Sequence, residues 1–92
     1  MRTGVLWEDI QVGKLYTSNQ PTLLGAWRTP FFLNQIIDPN DFVYVSLKQG
    51  DPVLVISRYF DKASSSSWLK ILHNDKSVWF RYDGFLVYLE NE

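Results

Sequence analysis

From residue 42 onward the chain alternates short apolar runs with clusters of turn-forming residues. Phe42-Val43-Tyr44-Val45 reads as a strand, and Lys48-Gln49-Gly50-Asp51-Pro52 as the turn that ends it. Residues 53–60 form a β-branched strand, residues 61–67 (DKASSSS) a flexible loop, and residues 68–72 (WLKIL) alternate again. His73-Asn74-Asp75-Lys76 is a hairpin turn, since Asn and Asp tolerate the left-handed backbone that tight hairpins need. Residues 77–82 pair back, Asp83-Gly84 turns the chain, and residues 85–89 close it. Short strands at this spacing predict a barrel or sandwich, and no window sustains a helical period.

The first half is less regular. A turn around residues 7–10 precedes a first strand over residues 12–18 (VGKLYTS), which Gln20-Pro21 punctuates. Residues 23–32 are apolar but carry Gly25 and Pro30, which rule out a regular helix. Asp38-Pro39-Asn40-Asp41 is a turn in which proline presets φ and the Asx side chains cap their own backbone. Residues 19–41 therefore read as a long, partly ordered loop holding short strand pieces.

Composition adds the means of stabilisation. The 92 residues are read as one domain. They hold no cysteine, so apolar burial replaces disulfides, and four Trp, six Phe and five Tyr supply it. Residues 1–46 carry three basic and four acidic side chains, and residues 47–92 six of each, so neither half supplies the field that draws a polyphosphate. The acids Glu8 and Asp9 cut the first apolar run too early for a signal peptide. No apolar stretch approaches the roughly 20 residues that span a bilayer. The cytoplasm is the expected address, with no membrane partner.

The chemistry-bearing residues point away from catalysis. His73 is the lone candidate base, and its place among Asn74 and Asp75 fits a turn better than a catalytic pair. Asp38, Asp41, Asp51, Asp61, Asp75 and Asp83 sit at turns as caps, with no D-x-D-x-D run to hold a cation. There is no glycine-rich phosphate loop and no nucleophile elbow. No enzyme activity, metal or cofactor is expected. Ser64–Ser67 reads as a connector, with phosphorylation as the alternative.

Leu47, Gly50, Asp51, Val53, Val55, Ile56, Trp68, Ile71, Trp79 and the Tyr88-Leu89 end together resemble the SH3 domain, closest to its bacterial SH3-like modules. The resemblance covers about residues 42–90, with GKLYTS as first strand. It implies an all-β fold, a small five-stranded SH3-like barrel with an N-terminal extension and a long first loop (residues 1–41). The Ala-Leu-Tyr-Asp-Tyr and Pro-x-x-Tyr motifs that build a proline-peptide groove are missing. Bacterial relatives often bind peptidoglycan, and related Tudor barrels cage methylated lysine.

Function is then sought on the aromatics. With Leu69 and Ile71 inward, alternation turns Trp68, Lys70 and Leu72 outward; with Val78 and Phe80 inward, it turns Trp79 outward. Trp68, Trp79, Tyr59, Tyr82, Lys70 and Arg81 are the expected partner-binding residues, as an exposed aromatic face that also includes Phe60. The competing reading has residues 19–41, with Trp27, Phe31 and Phe32, folding over that face. Arg58, Lys62, Lys70, Lys76 and Arg81 offer a basic stripe that would suit single-stranded nucleic acid. The chain is expected to be a non-enzymatic binding module for another protein, an adaptor or inhibitor such as a phage encodes. Nucleic-acid binding, a structural role in a larger assembly and cell-wall binding are the alternatives. Self-association through an unpaired edge such as residues 85–89 is a further possibility.

Overall fold

The computed structural model describes residues 4–28 and 39–89. They form an all-β structure of seven strands: β1 (Leu15–Ser18), β2 (Thr22–Trp27), β3 (Phe42–Leu47), β4 (Pro52–Asp61), β5 (Ser66–His73), β6 (Lys76–Arg81) and β7 (Leu86–Tyr88). Single 3-10 turns occupy Trp7–Asp9 and Pro39–Asp41. The strands make one curled antiparallel sheet in the order β3-β2-β6-β5-β4-β1-β7. No helix among the described residues is long and apolar enough to cross a membrane.

The meander β4-β5-β6 follows the local signals closely. At the β5–β6 turn, Asn74 and Asp75 have φ of 51° and 64°, and His73 pairs with Lys76 across them. Two central residues with positive φ match the right-handed twist of the strands they join. In β4 the register shifts between Val55 and Ser57, leaving Ile56 as an extra residue. That bulge bends a ten-residue strand and resets which side chains face inward.

The seven strands correct the expectation of five. β3 contains the strand read at residues 42–45, whereas β2 lies inside the expected first loop and pairs with β3 over six residues, from Thr22↔Leu47 to Trp27↔Phe42. Gly25 lies close under the Phe42 ring: a Cβ there would stand 3.0 Å from the ring's tip, so a larger residue would require the ring to shift.

The core gathers Tyr16, Leu47, Val53, Val55, Leu69, Ile71, Phe80 and Leu86, all almost fully buried. Leu69, Ile71, Val78 and Phe80 point inward as alternation expects. The N-terminal segment closes one end. Arg58 donates to the carbonyl oxygens of Trp7 (3.0 Å) and Ile10 (2.9 Å), and its guanidinium lies 4.6 Å from the centre of the Trp7 ring. Val5 N–H donates to Leu86 O at 2.7 Å, which occupies the outer edge of β7. The edge expected to be open at residues 85–89 is thus covered at Leu86. Among the described strands the one paired on a single side along its length is β3.

Candidate functional site

The expected aromatic face exists as a geometric row, but it is not an exposed surface. Tyr59, Trp68 and Arg81 align across β4, β5 and β6, and Lys70, Trp79 and Trp27 align in the next row across β5, β6 and β2. Trp68 and Trp79 retain only 8% exposure each. Alternation gives their direction correctly and says nothing of what covers them. Here β2 sets Trp27 beside Trp79, and the Lys70 ammonium lies 5.9 Å from the centre of the Trp79 ring. Phe31 and Phe32, also named in the expectation of a covering segment, lie outside the described residues. Tyr59 and Lys70 are half-buried and Arg81 is exposed.

Two further placements differ from expectation. Phe60 falls on the opposite side of β4, with its ring centre 5.9 Å from that of Trp7. Tyr82 belongs to the core cluster beside Phe80 and Phe85, not to the outer face. Its hydroxyl donates to Val5 O and accepts from Leu86 N–H at 3.3 Å, tying the N-terminal segment to β7. Burial pushes the Tyr82 phenol up to about 12, and burial likewise raises that of Tyr16. The basic stripe is broken as well, because Arg58 is turned to the carbonyls of the N-terminal segment.

The open surface lies elsewhere, in a furrow between β3 and the β5–β6 hairpin. It comprises three hollows that share walls. The first, about 440 Å³, is lined by Val43, Tyr44 and Val45 on one side, by Lys76, Ser77 and Val78 on the other, and by Arg28. The second, about 180 Å³, shares Tyr44, Val45, Lys76 and Val78 and adds Ser46, His73 and Asn74. The third, about 740 Å³, continues from Ser46, His73 and Asn74 to Leu15, Leu54 and Leu72, with Lys48, Asp51, Pro52 and Asp75 beside them.

Each part has a local cause. Leu15, Leu54 and Leu72 are paired across β1, β4 and β5, so they stand at one height as an apolar ladder. They alternate with the core residues Val53, Val55 and Ile71, and Leu72 keeps 38% exposure. Tyr44 faces outward between the core-packed Val43 and Val45 and is 69% exposed. Its ring meets Phe42 edge-on at 5.0 Å, and Phe42 in turn meets Trp27 at 4.8 Å, so the aromatic strip props Tyr44 from one side. His73 is held in the turn, its Nδ1 3.4 Å from Pro52 O and its Nε2 3.2 Å from the Asn74 amide. The Asp51 carboxylate accepts from Lys48 N–H at 3.0 Å and fixes the opposite turn.

Chemically the furrow offers an apolar floor, one exposed aromatic, and cations at its β6 end. Among the described residues no group of three His, Asp or Glu side chains is placed to share a metal ion. Comparison with family models, with curated proteins and with solved structures returns no match.

Proposed function

We propose that this chain is a non-enzymatic binding module that holds another protein in the furrow beside β3. The observation that carries the reading is Tyr44, a large aromatic exposed on an edge strand at the junction of two hollows. Aromatic residues beside apolar pockets supply most of the affinity of protein interfaces. The Leu15–Leu54–Leu72 ladder extends the contact with exposed apolar area. The row with Trp68 and Trp79 takes the role of packing, and Arg81 remains as an accessible rim charge.

The strand order supports an SH3-like barrel as the scaffold. β7, β1, β4, β5 and β6 are consecutive neighbours in the sheet, matching in number the five strands that the sequence resemblance implies. The β2–β3 hairpin is then an elaboration of the first loop, and it builds one wall of the furrow.

Tyr44→Ala tests the function. The substitution removes an exposed side chain, so stability should change by no more than about 0.5 kcal/mol. Affinity capture from host lysate beside wild type should show one saturable partner lost from the variant. Equal capture by both proteins would move the interface away from the furrow.

A further inference from the structure

β3 is engaged by β2 over all six residues, and among the described strands it has no neighbour on its other side. Its sequence, FVYVSL, carries no charge and no proline, and its pairing with β2 has no bulge. Those are the devices that normally blunt an open edge. Consecutive strand residues face opposite ways, so a hollow walled by Val43, Tyr44 and Val45 together meets the β3 backbone as well as its side chains. Lys76, Ser77 and Val78 wall the other side in the same consecutive manner.

The charge of this slot is one-sided. The first hollow is lined by Arg28 and Lys76, and the second by Lys76 and His73, with no carboxylate among the lining residues of either. Asp51 and Asp75 enter only at the third hollow, beyond Ser46. We infer that the slot takes an extended acidic segment of a partner protein, added as a strand along β3 with its carboxylates on Arg28 and Lys76. This deepens the reading above and rests on it. Main-chain bonds to β3 supply affinity in such strand addition, and alternate side chains supply specificity. Guanidinium and ammonium groups facing carboxylates add charge-assisted hydrogen bonds. A second copy of the chain fits less well, because β3 brings no acid and two-fold pairing would bring the Arg28 and Lys76 clusters of both copies to one interface. A polynucleotide would meet Asp51 and Asp75 further along the furrow, on a chain whose net charge is −1.

The test is a selection of short random peptides on the immobilised full chain. Affinities of synthetic copies of the selected peptides are then measured by fluorescence anisotropy. The expected peptides carry acidic residues at alternate positions and slow amide exchange in β3. Arg28→Glu and Lys76→Glu should each weaken them about tenfold, the loss of one charged hydrogen bond. The charge-preserving Arg28→Lys/Lys76→Arg variant should bind, which separates charge from folding, and Lys62→Glu should leave binding unchanged. Neutral or basic peptides that depend on Tyr44 but ignore both charge reversals would overturn the acidic segment and leave the binding module standing. Failure to select any peptide, with oligothymidylate bound instead and lost on Lys76→Glu, would overturn both in favour of a polyanion site. A concentration-dependent dimer abolished by Val45→Lys would overturn the acidic segment in favour of a second copy.

Discussion

Trp68→Ala and Trp79→Ala should each destabilise the fold by about 3–5 kcal/mol, the range for truncating a buried Trp to Ala. The reasoning starts from their position. Both lie on the outer side of the meander, where alternation gives every appearance of a binding surface, yet each keeps only 8% of its surface. Removing either indole leaves a cavity among packed neighbours rather than a smaller contact patch. A domain of this size holds about 5–15 kcal/mol in total, so either change takes a large share of it. Urea unfolding followed by circular dichroism should show the midpoint falling at nearly constant slope. The contrast with Tyr44→Ala is decisive, since that variant is expected to lose its partner while keeping its midpoint. A Trp68→Ala protein as stable as wild type but unable to bind would restore the aromatic row as the interface.

Why the sequence read a buried aromatic row as an exposed face follows from what periodicity can carry. Alternation across residues 68–72 and 77–82 orients side chains, and it correctly turns Leu69, Ile71, Val78 and Phe80 into the core. Whether the outward side chains meet water depends on a segment dozens of residues away. Gly25 and Pro30 made residues 23–32 read as broken chain, whereas Gly25 lies within β2, paired with Tyr44 of β3 and close against the Phe42 ring. Tyr82 shows the same limit. Its hydroxyl partner, Val5 O, is 77 residues away and nothing local announces it. The furrow was invisible for a third reason. Leu15, Leu54 and Leu72 become a ladder only when the registers of three strands are known. The bulge at Ile56 means that counting along β4 by twos misplaces Tyr59 and Phe60. The tight turn at Asn74-Asp75 was legible because its cause is local, two residues able to hold positive φ.

Alkaline pH should destabilise the protein through Tyr82, and the sign follows from the direction of its shift. Burial raises the folded-state value to about 12, above the 10.0 of a free phenol. The folded state therefore holds the proton more tightly than the unfolded chain. The stability from this group is fully present below pH 10, falls as pH rises from 10 towards 12, and is lost above that. Two units would correspond to about 2.7 kcal/mol, and allowing for screening by nearby water brings the expected loss to about 1–2 kcal/mol. Tyr16, raised by burial as well, adds to the loss in the same direction. Tyr82→Phe separates the two phenols. At neutral pH it should cost about 1–3 kcal/mol, because Val5 O and Leu86 N–H both lose the hydroxyl that satisfies them. As pH climbs, wild type loses the stability its neutral hydroxyl provided, while the Phe variant has none there to lose. The gap between the two unfolding free energies should narrow across this window, with phenolate absorbance reporting the titration. A gap that stays constant to pH 12 would show that Tyr82 titrates in the folded protein as a free phenol does, and would overturn the raised value.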